Sequence, residues 1–206
     1  MSSPCRTLIL LAAVLMTLSC KKSHQEEETL LPDSCQLLVG DVVFRRGTAL
    51  TSQAVLMADR GCRYSHIGIV ADSAGIPMVV HAVPDEPDYP GDPDRVKMEP
   101  ARKFFSTANA SLGEVCRTAD PQAGERAAKA AVAIYRRGAL FDHHYDDSDT
   151  VRLYCTQLVM ECYREAGIEL AGPPTHSFSI AGISCKCWLP SDIYQSASLT
   201  SIYTFE

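Results

Sequence analysis

"SHIGIVADSAGIPMVVHAV", residues 65–83, consists of two β-rich runs joined by a short turn. The runs are "SHIGIVA" at 65–71 and "PMVVHAV" at 77–83, and "DSAG" at 72–75 is the turn-forming link. A link this short joins antiparallel strands, because a parallel return needs a crossover of about a dozen residues or more. With side chains alternating, Ile67 and Ile69 face one side of the first arm while His66, Gly68 and Val70 face the other. A glycine two residues from a histidine on one face leaves room for something bulky to approach. His81, flanked by apolar residues in the second arm, is expected to be half buried. The hairpin can therefore set His66 and His81 side by side.

Outward from this hairpin, strands and helices come in blocks rather than in strict alternation. "GDVVFRR" at 40–46 reads as a preceding strand, and "TALTSQAVLMADRG" at 48–61 as a helix closed by Gly61. "DEPDYPGDPD" at 85–94 is a loop with three prolines, and "RVKMEP" and "GEVCRT" are candidate strands around a short helix near 101–108. "DPQAGERAAKAAVAIYRRG" at 120–138 is the clearest helix, with Asp120 as cap, Pro121 at its first position and Gly138 beyond its end. "RLYCTQLVMECYREAG" at 152–167 reads as an amphipathic helix stopped by Gly167, with Leu158, Val159, Cys162 and Ala166 on its core face. A short helix at Pro190–Tyr194 and a last strand in "SLTSIYTF" complete the pattern. The block order favours an α+β fold with an antiparallel sheet over a doubly wound one.

The N-terminus reads as export machinery. Arg6 precedes an apolar run from Leu8 to Leu18, too short to span a bilayer but fitting a secretory signal. Leu18-Ser19-Cys20 ends it and resembles a bacterial lipoprotein site, with Cys20 as the lipid-attachment residue. The expected division is 1–19 signal peptide, 20–36 lipidated cysteine and flexible tether, and 37–206 one folded domain. Residues 21–33 are expected to have no fixed structure. Without Arg6, 18 basic residues face 25 acidic ones, and no basic patch reads out, which argues against a nucleic-acid partner. Apart from Cys5 and Cys20, seven cysteines remain, an odd number with no CxxC pair, so a zinc ribbon is not indicated. Cys185 and Cys187 form the nearest pair and could enter a disulfide.

Cys155 falls in the first turn of its helix, where unpaired N–H groups favour a thiolate and could hold an oxyanion. Its thiol is therefore expected to have a lowered pKa. Cys162, mid-helix, lacks that help and reads as core. A thiol nucleophile needs a base. His24 lies in the tether, His143 and His144 in the acidic loop "DHHYDDSD", and His176 after a Gly-Pro-Pro turn. His66 and His81 remain, one as base and the other to orient it.

"GDVVFRR", "YSHIGIV", "VVHAV", "YCTQLVMECYREAG" and "LPSDIYQS", in that order over roughly residues 37–197, resemble the circularly permuted papain-like amidases related to NlpC-type cell-wall peptidases, the YaeF/YiiX group. The resemblance implies a permuted papain-like fold in which the histidine strand precedes the cysteine helix. It implies Cys155 as nucleophile, His66 as base and His81 as the third polar residue. Many members carry a glutamate at the position of His81, and a neutral imidazole can orient His66 without stabilising its cation as a carboxylate would. Tyr64, two residues before the base, is a candidate for lining the substrate cleft.

These readings converge on an envelope-anchored cysteine hydrolase of the amidase or peptidase type, needing no cofactor and no metal. Its expected partner is a small amide or peptide, such as one derived from peptidoglycan, and the membrane is reached through the N-terminal lipid. Three alternatives stand beside it: a thiol acyltransferase or esterase acting on lipid-type acyl groups, a binding lipoprotein without turnover, and metal binding through "DHHYDD".

Overall fold

The computed structural model of the chain describes residues 28–174, 177–180 and 183–206. The hairpin forms as expected. β2 (His66–Ser73) and β3 (Ile76–Val83) pair antiparallel, with Ile69 opposite Val80 and Ser73 opposite Ile76. Ala74 and Gly75 between them have φ of 55° and 83°, the positive pair that a two-residue turn requires if it is to match the twist of the strands. Asp72 Oδ1 accepts a hydrogen bond from Gly75 N at 3.1 Å and closes the turn.

The hairpin lies inside a six-stranded sheet of order β4-β3-β2-β1-β5-β8, antiparallel at every neighbouring pair. The added strands are β1 (Val42–Gly47), β4 (Arg95–Pro100), β5 (Ala110–Thr118) and β8 (Leu199–Phe205). Phe178–Ile180 and Ile183–Cys185, β6 and β7, form a separate small ribbon. The helices are α1 (Leu50–Ala58), α2 (Ala101–Phe104), α3 (Pro121–Arg136), α4 (Cys155–Glu165) and α5 (Pro190–Tyr194).

The two faces of the sheet are covered differently. One carries the larger core, where Val42, Phe44, Ile67, Ile69, Val80 and Ala82 meet α3 and α4. Burial of side chains such as Leu158, Val159 and Met160 contributes about 1.5–3 kcal/mol each. α3 comes close because its inner face is alanine and glycine. A Cβ at Gly40, at the entry to β1, would stand 2.3 Å from the Gly124 carbonyl carbon. Asp120 caps α3 by accepting from Gln122 N and Ala123 N at 3.0 and 3.1 Å, as its sequence indicates.

The other face is thinner, built by Val43, Val70, Val79, Phe104, Phe105 and Phe205. Here one expectation fails. Residues 28–33, read as tether, are laid against this face. Leu31 is buried, Leu30 packs beside it, and Leu30 N donates to the Phe105 carbonyl at 2.9 Å. Two leucines in an otherwise polar stretch give the segment an apolar anchor that its overall composition hides. The helix expected over 48–61 is also shorter. It stops at Ala58, where Asp59 leaves helical geometry (φ −99°, ψ 66°) while still donating its N–H to the Val55 carbonyl, and the buried Asp59 carboxylate accepts from Ser191 N of α5 at 2.9 Å.

Candidate active site

α4 begins at Cys155 without a side-chain cap, since Tyr154 occupies the N-cap in an extended conformation. The first-turn N–H groups are therefore not consumed by a neighbouring Ser, Thr, Asp or Asn. Those of Thr156 and Cys155 point to the Cys155 thiol, as does the N–H of Ile67 on β2. Ile67 adjoins His66, so this contact seats the thiol within one residue of the histidine. Cys155 and His66 line one cavity together with Arg45, Ser65, Glu86 and Tyr145. Its volume is about 40 Å³, enough for about three waters.

His66 and His81 are brought together as the hairpin suggested. His66 Nε2 lies 2.8 Å from His81 Nδ1, and both rings stack edgewise or tilted against Phe104. Gly68 makes room for this. A Cβ there would stand 2.5 Å from Val79 Cγ1 and 3.1 Å from His81 Cβ. His81 is fully buried rather than half buried. Because His66 uses Nε2 toward His81, Nδ1 is the ring nitrogen left for the thiol.

The charge state departs from the expectation for Cys155. Burial pushes the thiol up, to about 11. The N–H groups of Thr156, Ile67 and Cys155 and the Arg45 cation pull the other way without prevailing. The residue is partly open to the cavity, but its sulfur is enclosed, and desolvation outweighs the helix end. His66 is held well below its ordinary value, first by burial and then by the charges of Arg45 and His81. The resting pair is a neutral thiol beside a neutral imidazole.

Three further charged groups were not singled out in the sequence. Arg45 stands directly across from His66 in the β1–β2 register. It is buried, pairs with Glu86, donates to the Phe104 carbonyl at 2.9 Å and lies 4.5 Å over the Phe104 ring. Glu86 comes from the proline-rich loop. Glu99, on β4, has Oε1 3.2 Å from His81 Nε2 and Oε2 3.1 Å from Lys103 Nζ. Both are ion-pair distances without hydrogen-bond alignment. Burial alone would raise the Glu99 pKa, yet His81 and Lys103 together lower it to about 2. Only the strand register shows Arg45 and Glu99 as neighbours of the histidines, and the signal for both is a charged residue within a predicted strand, whereas Glu86 reaches Arg45 from a loop.

Tyr64 is corrected. It is buried between Phe44 and Tyr194, its hydroxyl donates to Glu114, and it is not among the residues lining the Cys155 cavity. A buried phenol needs a partner, and the carboxylate on β5 supplies one on the helix-covered side. Cys162 is fully buried, as expected of a core residue. Cys35, Cys62, Cys116, Cys155 and Cys162 are free thiols. Cys20, His24 and His176 lie outside the described residues, as does the side chain of Cys185. His143 and His144 are exposed and approach different carboxylates, Asp94 at 3.1 Å and Asp142 at 3.6 Å. Among the described residues no group of three or more His, Cys, Asp or Glu is placed to hold a metal. The facing nitrogens of His66 and His81 are already spent on each other.

An antiparallel sheet that carries its histidines before the helix that carries its cysteine defines a papain-like fold in permuted order. The chain belongs to the family described as permuted papain-like amidase enzyme, YaeF/YiiX, C92 family, whose model matches residues 36–202. The crystal structure titled metalloprotein yiiX from Escherichia coli O157:H7 has the same fold, with a TM-score of 0.65 at 20% identity over 82% of this chain and 98% of that one. No curated protein is similar enough in sequence to match the chain.

Proposed function

We propose that the chain is a cysteine amidase anchored in the bacterial envelope through a lipid on Cys20. Cys155 is the nucleophile and His66 its general base. The observation that carries this reading is the shared cavity. Cys155 at an uncapped helix start and His66 both line it, and the far ring nitrogen of His66 is tied to His81.

Because thiol and imidazole rest neutral, deprotonation accompanies attack. The thiol proton passes to His66 Nδ1 as the sulfur pair forms the S–C bond and the carbonyl pair moves to oxygen. The N–H groups at the α4 start face the developing oxyanion. Collapse expels the amine, which takes the proton from His66. Water, deprotonated by the same nitrogen, then releases the acid. Residues of α1 and Tyr145 line the cavity beside Cys155 and border the path by which an amide substrate reaches the thiol. A cell-wall peptide in the envelope is the proposed substrate class, resting on the family and the N-terminal signal.

The acyltransferase or esterase reading draws on one feature. α1, beside the cavity, has no buried residue and leaves Leu50 and Met57 89% and 70% exposed, a surface that an acyl chain could cover. Labelling with an acyl-reactive cysteine probe tests the common chemistry. Wild type should be labelled at Cys155, Cys155→Ser should not be labelled, and His66→Ala should be slowed by about a hundredfold or more. Equal labelling of wild type and His66→Ala would remove His66 as base. Competition by a muropeptide amide against a long-chain acyl ester then separates the substrate classes.

A further inference from the structure

Behind the histidine pair stands Glu99, a buried carboxylate that the nucleophile–base reading does not use. In the β3–β4 register His81 faces Lys97 and Val79 faces Glu99, so Glu99 is the diagonal neighbour of His81 on the same face. Its Oε1 lies 3.2 Å from His81 Nε2, and His81 Nδ1 lies 2.8 Å from His66 Nε2. His81 is fully buried and Glu99 is 4% exposed, so this line of groups runs from the cavity wall into the protein away from bulk water.

We propose that Glu99 is a positioning residue that fixes both histidine tautomers and supplies, through His81, the negative charge that His66 needs when it is protonated. A carboxylate oxygen 3.2 Å from His81 Nε2 favours a proton on that nitrogen, because a lone pair there would be repelled by the charge. His81 Nδ1 is then a lone pair and accepts from His66 Nε2–H. His66 Nδ1 is left as a lone pair, which is the form a general base must present to the Cys155 thiol. The carboxylate that a neutral His81 cannot itself provide is therefore present one residue further on, carried by a different strand. When the thiol proton reaches His66 Nδ1, the imidazolium formed is linked by His81 to Glu99, and no proton has to pass beyond His66. Five charged or titratable groups face this line, the first being Lys97, buried directly opposite His81 on β4, whose Nζ donates to the Glu86 carbonyl at 2.7 Å and to Asp88 Oδ1 at 2.9 Å. The others are Arg45 from β1, Glu86 from the loop after β3, Lys103 from α2, whose Nζ also binds Asp88 Oδ1 at 2.7 Å, and Cys155 from α4. Lys103 holds the outer oxygen of Glu99 at 3.1 Å and keeps the carboxylate from turning away.

The proposal rests on Cys155 and His66 acting as nucleophile and base, and its test has one arm independent of them. Ring-nitrogen NMR on the ¹⁵N-histidine-labelled full chain should show His66 and His81 both protonated at Nε2. A His81 proton on Nδ1 would overturn the relay whether or not Cys155 reacts. In the second arm, Glu99→Gln should slow labelling by the acyl-reactive probe by about tenfold, the size of one pKa unit in the base. The loss should fall on the limiting rate and not on the half-saturating probe concentration, and Glu99→Asp should recover part of it. Wild-type rates in a folded Glu99→Gln protein would overturn the charge role. Should that variant fail to fold, the wild-type tautomers alone decide. A wild type unlabelled at Cys155 sinks the nucleophile reading instead and leaves the tautomer arm standing.

Discussion

Cys155 and Cys162 lie seven residues apart on α4, about 10 Å along its axis. Burial pushes both thiols up. Around Cys162 the nearby Glu161 and Glu165 push further in the same direction, with only Arg137 opposing. Around Cys155 three backbone N–H groups and Arg45 oppose burial, and the residue opens to a cavity shared with a histidine. The comparison teaches that a helix start does not by itself make a reactive thiol. What distinguishes Cys155 is access, directed N–H donors and a histidine lining the same cavity, and none of these lowers its resting pKa below the ordinary value.

The largest expected effect tests that distinction directly. Iodoacetamide at pH 8, read by peptide mass spectrometry, should modify Cys155 about a hundredfold faster than Cys162. The Cys155 rate should climb steadily from pH 6 to pH 9, because its thiol titrates at about 11 while His66 stays neutral. A plateau already reached at pH 6 would mean that a thiolate–imidazolium pair exists before substrate arrives. Comparable labelling of Cys162 would end the comparison altogether.

A second, smaller effect sharpens the dependence of Cys155 on the hairpin opposite. Gly68→Ala places a methyl 2.5 Å from Val79 Cγ1 and 2.9 Å from the Val80 carbonyl oxygen. Overpacking of this kind costs about 1–3 kcal/mol, and β3 must give way at Val79 and Val80, displacing His81, whose Cβ would lie 3.1 Å from the methyl. Urea denaturation should show that loss, and Cys155 labelling should slow while exposure of Cys162 in the folded state is unchanged. Gly61→Ala, with nothing within 4 Å of the added methyl, is the control and should change stability by less than about 0.5 kcal/mol. Gly68→Ala labelling at the wild-type rate would detach Cys155 from the histidine pair.

Much of this architecture was legible because it is local. The turn after Asp72, the Asp120 cap, the stop at Gly167 and the apolar face of α4 all follow from short-range patterns, and all are present. The histidine pair was legible for the same reason, since a hairpin fixes its own partners. What was missed depends on register between strands that the turn does not join. Arg45 meets His66 across β1–β2, and Glu99 meets His81 diagonally across β3–β4. Tyr64 was misplaced because its ring lies on the helix-covered side, where Glu114 offers a partner. The Cys155 pKa was misjudged because the helix end is visible in sequence while desolvation is not.

The smallest effect concerns the proposed base and separates His66 from Glu99 by pH. Unfolded, His66 titrates near about 6.5; folded, burial, Arg45 and His81 hold it well below that. Between those values the unfolded chain binds a proton that the folded chain does not, so stability rises with pH through this window. The contribution is complete above pH 6.5 and is lost as pH falls toward the folded value. Each pH unit inside the window is worth at most about 1.4 kcal/mol, so wild type should lose more stability than His66→Gln between pH 7 and pH 5. Glu99 acts elsewhere. Its folded pKa of about 2 lies below its ordinary 4.5, so its share persists through this range and disappears only below pH 4.5. Denaturation midpoints at half-unit pH steps would resolve the two. Parallel wild-type and His66→Gln curves between pH 7 and pH 5 would show that His66 accepts its proton in the folded state at an ordinary pH. The neutral resting pair, on which the contrast between Cys155 and a pre-ionised thiol depends, would then be wrong.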